Sequence, residues 1–80
     1  MLQEIKNILE QVKGVPGLSQ SLADSANIIE DVGLDSLEMM QFMLELESQL
    51  AIEINFENLD FSDFQSIEKF GKFLTGMKNN

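Results

Sequence analysis

The sequence predicts an all-α fold: a small four-helix bundle, three helices long and one short, with a long first loop. Three observations carry that expectation. Apolar residues recur at helical spacing in three separate stretches, and start and stop signals bracket those stretches. At 80 residues with 44% hydrophobic content, the chain has room for one core. A chain this short buries only about 60–65% of its unfolded surface, so residues 1–80 are expected to form a single, marginally stable domain.

The first helix is predicted over 2–13. Leu2, Ile5, Ile8, Leu9 and Val12 line one side, while Glu4, Lys6, Asn7, Glu10 and Gln11 fill the other. Gly14, Pro16 and Gly17 stop it, because proline cannot continue the hydrogen-bond ladder and glycine accepts helix-exit backbone angles. A connection to about Asp35 follows. A loop of this length needs its own packing or a function, and Leu18, Leu22, Ile28, Ile29, Val32 and Leu34 can supply the packing. Ser19 to Ala26 suits a short helical turn or an ordered loop equally, and is read as loop.

The second helix, 36–51, is announced by Gly33, by Asp35 as N-cap and by Glu38 three residues later, a capping-box pattern. No Gly or Pro interrupts it. One short turn is expected over 56–61, anchored by Phe56, Leu59 and Phe61. The last helix is predicted over 66–75, with Ser66 as cap, Ile67, Phe70, Phe73 and Leu74 at helical spacing and Gly76 at the exit. Met77 to Asn80 are expected to fray.

Composition restricts function sharply. Five Lys stand against fourteen Asp plus Glu, a formal net charge of −9, with no Cys, His, Trp or Tyr. That charge repels phosphate backbones and anionic lipid and attracts basic protein patches, so nucleic acid is not an expected partner. No apolar run is long enough for membrane insertion and Met1-Leu2-Gln3-Glu4 has no basic character, so neither a membrane span nor an export leader is expected. With no His or Cys, a His-dependent nucleophile and a normal zinc site are both excluded, and no metal site is expected. The chain is therefore expected to be non-catalytic, with its function in what it binds or what is attached to it. A cysteine-free chain fits a reducing, cytoplasmic setting.

The second helix carries more apolar surface than one core stripe needs. On a wheel of about 100° per residue, Met39, Phe42, Met43, Leu46 and Leu50 form the core face. Leu37, Met40 and Leu44 form a second strip adjoining Ser36. Broad burial of a central helix would account for Met40 alone; Leu37 and Leu44 point to exposure. With Glu38, Gln41, Glu45, Glu47 and Ser48 around it, the strip has the character of a docking surface, apolar for contact and acidic for steering. Ser36 lies in the first turn, where free N–H groups and the helix dipole favour a phosphate ester, although serine at a helix start is usually structural.

At Gly33-Leu34-Asp35-Ser36-Leu37-Glu38 the sequence resembles the acyl carrier proteins, whose attachment motif is Gly-x-Asp-Ser-Leu. The order of helix, long loop, attachment serine, acidic and apolar helix, short turn and last helix matches that family over essentially the whole chain. The resemblance implies an acyl-carrier-type bundle, monomeric, with Ser36 as acceptor of phosphopantetheine. A separate phosphopantetheinyl transferase would join it from coenzyme A as a phosphodiester. The cofactor's thiol, not a protein side chain, would then carry the acyl group.

Carried over residue by residue, the resemblance implies that Asp35 helps to position the transferase and its magnesium and that Leu37 flanks the attachment point. Met40, Leu44, Glu38, Glu45 and Glu47 would form the docking helix, and Glu53 would extend its acidic edge. The implied partners are the transferase, an acyl- or aminoacyl-loading ligase, and synthase or transferase enzymes with basic docking patches. Phe42, Leu46, Leu50, Ile54 and Phe70 would enclose an interior into which some members fold a short acyl chain.

Departures from the family pattern point away from housekeeping fatty acid synthesis. Asn55 stands where proline is usual after Ile52-Glu53-Ile54, Gln41 and Ser48 replace frequent charges, and Leu59 to Ile67 is rich in Phe. These features fit a specialised polyketide, modified fatty acid, lipid or aminoacyl pathway. An aminoacyl or peptidyl carrier is the nearest alternative, disfavoured by Asp35; Met1 and the polar tail favour a discrete protein. An unmodified acidic helical adaptor is the second alternative. A calcium loop, prompted by Glu30, Asp31, Asp35 and Glu38, fails on spacing, because it requires alternating oxygen ligands, a central glycine and a terminal glutamate, and Asp31-Val32-Gly33-Leu34-Asp35 offers apolar residues instead.

Overall fold

The computed structural model describes residues 1–78. Four α-helices and two 3₁₀ turns make up the described chain, with no strand among the described residues. Helix α1 is Leu2–Lys13, α2 is Leu18–Ser21, α3 is Ser36–Leu50 and α4 is Ile67–Lys78. The 3₁₀ turns are Phe56–Asn58 and Phe61–Phe64. Helix α1 packs against α2, α3 and α4, and the second 3₁₀ turn packs against α4.

Local chemistry sets most of these boundaries. Helix α1 ends where Gly14 takes φ 68° and returns its N–H to the Glu10 carbonyl. That left-handed conformation strains any residue with a Cβ, which is why glycine stands there. Helix α3 begins in a capping box: Glu38 N–H donates to Asp35 Oδ1 at 2.8 Å, and Asp35 N–H donates to Glu38 Oε1 at 3.1 Å. At its other end Ala51 closes the helix at φ 54°, a left-handed conformation without the help of glycine. Ser66 caps α4, its Oγ accepting the Lys69 N–H at 2.9 Å.

The core runs from α1 through the loop and α3 to α4. Ile5, Ile8 and Leu9 of α1 meet Phe42, Met43, Leu46 and Leu50 of α3, with Ile54, Phe64, Ile67, Phe70 and Leu74 completing the interior. Phe70 is its hub, with ring centroids 5.6 Å from Phe42, 5.3 Å from Phe64 and 6.1 Å from Phe73. Gly71 faces α1, where an added Cβ would lie 2.7 Å from Leu2 Cδ2, the flexible end of a side chain that would have to turn aside.

The long loop is part of the core. Ile28, Val32 and Leu34 are buried, and Leu18, Leu22 and Ile29 pack against them in part. Its backbone also completes α4. The Ala26 and Asp24 carbonyls accept the Ile67 and Glu68 N–H groups at 3.0 and 2.9 Å, and Ile28 N–H donates to the Phe64 carbonyl. Two first-turn donors that a helix cannot satisfy internally are thus satisfied by the loop. Asn27 organises the bend, its Oδ1 accepting the N–H groups of Ile29 and Glu30.

Three expectations need correction. The short α-helix is α2, inside the stretch read as loop, while 56–61 is not one turn. Leu59 and Asp60 are extended and divide that region into two 3₁₀ turns. This break resets which side chains face inward, so Phe56 and Phe61 are exposed rather than anchoring, and Phe64 takes the buried place. Helix α4 also passes through Gly76 to Lys78 instead of ending there. Gly76 does not adopt the left-handed conformation that ends a helix, so α4 runs on through Met77 and Lys78, where fraying was expected. The fraying expected at Asn79 and Asn80 lies outside the described residues.

Candidate functional site

Ser36 is the first residue of α3 and is exposed. Asp35, the capping residue beside it, directs its carboxylate to the Glu38 N–H, which leaves the N–H groups of Ser36 and Leu37 outside the intrahelical ladder. The Ser36 hydroxyl has no hydrogen-bond partner among the described residues. An exposed hydroxyl at the positive end of a 15-residue helix is placed to carry an anionic ester.

Behind it runs the apolar strip. Leu37, Met40 and Leu44 are 65%, 61% and 59% exposed, each far above an ordinary core position. Spacings of three and four residues place them along one side of α3. Side chains of this size left in water are unfavourable unless a partner covers them, which gives the strip the character of a contact surface.

The acids predicted around this strip do different things. Glu45 is exposed and accepts a hydrogen bond from Gln49 Nε2 at 2.8 Å; the same amide donates to Gln11 Oε1 of α1. Glu53 is exposed in the segment after α3. Glu47 is half-buried, its Oε2 accepting the Ile54 N–H at 2.9 Å. Glu38 turns away from the strip toward α1, where Oε1 accepts from the Asp35 N–H and from Lys13 Nζ, both at 3.1 Å. Glu38 and Glu47 therefore hold the backbone at the two ends of α3, Glu38 on the N–H of the capping residue Asp35 and Glu47 on the Ile54 N–H just beyond the helix.

Sequence reasoning missed Lys13. Its ammonium also donates to the Gly33 carbonyl at 3.0 Å, joining the end of α1 to the turn before Ser36. The only signal was a basic residue in the last turn of α1, where a cation is favoured by the helix dipole in any case.

The chain matches the phosphopantetheine attachment site family over residues 3–74. It belongs to that family of carrier proteins. A non-reducing polyketide synthase AC from Didymella fabae is 36% identical to this carrier over 73 residues, which cover 90% of the chain. The chain spans only 3% of that synthase's length. The fold is similar to the solution structure of a holo acyl carrier protein from Nitrosomonas europaea, with TM-score 0.88 at 18% identity, covering 99% of this chain and 96% of the other. This carrier thus has the acyl carrier fold, and phosphopantetheine is its covalent cofactor. The α3 N-terminus fits such a group, since it offers a free hydroxyl, first-turn N–H donors and open solvent for a long arm. Among the described residues no helix is long and apolar enough to cross a membrane.

Proposed function

We propose that this carrier holds acyl intermediates as thioesters on a phosphopantetheine arm joined to Ser36, in a polyketide or other specialised acyl pathway of the cytoplasm. The observation that carries the reading is the exposed Ser36 hydroxyl at the start of α3, directly adjoining an exposed strip of Leu37, Met40 and Leu44. The cofactor supplies a thiol on a flexible arm; the chain supplies the attachment oxygen, the docking surface and the field that guides partners.

In this reading Asp35 keeps the first turn of α3 rigid while Ser36 is modified. The first-turn N–H groups and the helix dipole favour the negative phosphodiester that results. A phosphopantetheinyl transferase, a loading ligase and synthase or transferase enzymes would each approach α3 with basic and apolar groups, Glu45 and Glu53 steering the encounter. The polyketide assignment is supported by the similarity to a polyketide synthase, and the Phe-rich stretch after Ile54 supports a specialised carrier more broadly.

Loading tests this reading. Pantetheinylated protein is expected to accept malonyl or longer acyl groups from acyl-loading enzymes, giving adducts that neutral hydroxylamine removes as thioesters. Acceptance of amino acids alone would replace the acyl reading with the aminoacyl one. A chain that no transferase modifies would be an acidic helical adaptor.

A further inference from the structure

Among the described residues Lys13 is the one cation paired with the segment carrying Ser36. From the last turn of α1 its Nζ lies 3.0 Å from the Gly33 carbonyl and 3.1 Å from Glu38 Oε1. That carboxylate oxygen also accepts the Asp35 N–H. One ammonium therefore holds both sides of the attachment turn: the backbone two residues before Asp35, and the capping box that starts α3. Gly33 itself sits at φ 78°. Contact with Lys13 is thus made at the residue whose backbone freedom lets the chain turn into α3.

The other lysine of α1 makes a different kind of contact. Lys6 pairs with Asp24 at 2.7 Å, in the loop and away from the capping box. Both Lys6 and Lys13 keep most of their side chains covered, 12% and 22% exposed, so the two are matched in charge and similar in burial. Only one of them touches the attachment turn.

We infer that Lys13 is a positioning residue for modification of Ser36, fixing the 33–38 turn so that the serine hydroxyl is presented in one orientation to the modifying transferase. This rests on the reading of Ser36 as the attachment residue. The hydrogen bonds of Lys13 go to Gly33 and Glu38 and not to Leu37, Met40 or Leu44, so its loss removes no polar contact of the strip. A loosened turn presents the hydroxyl correctly for a smaller fraction of the time, which lowers the rate within the docked complex and not the docking itself.

The experiment compares wild type, Lys13→Met, Lys13→Arg and Lys6→Met as transferase substrates with coenzyme A and magnesium, alongside amide hydrogen exchange of each. Lys13→Met is expected to lower kcat by about tenfold with KM unchanged, and to speed exchange at Asp35 and Glu38. Lys13→Arg, which keeps charge and donors, is expected to recover kcat to within about twofold. Lys6→Met makes the same change in net charge and is expected to be modified at the wild-type rate. Unchanged kcat in Lys13→Met, a change confined to KM, failure of arginine to recover the rate, or an equal loss in Lys6→Met would each overturn the inference. If wild type itself is never modified, the attachment reading falls and this inference with it, whereas normal modification of both wild type and Lys13→Met removes Lys13 alone.

Discussion

The backbone N–H of Ile28 donates to the carbonyl of Phe64 at 3.0 Å, fastening the middle of the long loop to the 3₁₀ turn that precedes α4. Ile28 is fully buried beside it. The loop is thereby a structural layer whose opening would uncover the core.

That fastening predicts a pattern of amide exchange. The N–H groups of Ile28, Ile67 and Glu68, each bonded across the loop and α4, should exchange with the slow core amides of α1 and α3. Exposed loop amides such as Ser25 should exchange far faster. Rapid exchange at Ile28 would show the loop to be detached in solution.

The start of α3 separates capping from attachment. Asp35→Ala removes the carboxylate that accepts the Glu38 N–H and should cost about 1 kcal/mol, lowering Tm by about 4–8 °C. Ser36→Ala should leave Tm nearly unchanged, since the exposed hydroxyl has no partner among the described residues. Thermal unfolding followed by circular dichroism checks both, and a large loss in Ser36→Ala would make the serine structural.

The other end of α3 carries avoidable strain. Ala51 sits at φ 54°, where a Cβ is crowded against its own backbone. Ala51→Gly should raise stability by about 0.5–1 kcal/mol, relief of strain exceeding the added freedom of the unfolded chain. Denaturant unfolding should show a higher midpoint with an unchanged slope.

Glu10 gives α1 and α2 a pH-dependent link. Its Oε1 accepts the Ser19 N–H at 2.9 Å, and that bond holds its carboxyl below the ordinary value near 4.5. A folded-state value below the unfolded one contributes stability that is fully present above about pH 4.5 and is lost as pH falls through the folded value. Glu10→Gln should therefore be less stable than wild type at neutral pH, with the gap closing in acid. A gap that stays constant across this range would show that the charge contributes nothing.

Phe70 tests the core. It is fully buried and stacks against Phe64 and Phe73 as well as meeting Phe42. Phe70→Ala should cost about 3–5 kcal/mol, a large share of the stability of a domain this small. Loss of cooperative unfolding in the variant is the expected observation.

How much of this was legible in the sequence depended on range. The limits of α1 and the start of α3 were readable because Gly14 and the Asp35 and Glu38 pair act within one helical turn. The exposed strip was readable because α3 has more apolar residues than one core face holds. The region 56–64 was not, because Leu59 and Asp60 adopt extended backbone that no local signal announces, which exchanges Phe61 for Phe64 in the core. Gly76 misled because glycine ends helices only when the chain turns there. Lys13 was invisible because its partners, Gly33 and Glu38, lie 20 and 25 residues away in sequence. Such pairs follow from how α1 packs on α3 and from nothing either segment contains alone.

The central claim is that Ser36 receives the cofactor, and intact-protein mass spectrometry tests it most directly. Wild type and Ser36→Ala are incubated with coenzyme A, magnesium and a phosphopantetheinyl transferase of broad specificity. A gain of one phosphopantetheine in wild type and none in Ser36→Ala is the predicted result. An equal gain in both would place the attachment on another residue, and no gain in folded wild type with several transferases would contradict the claim outright.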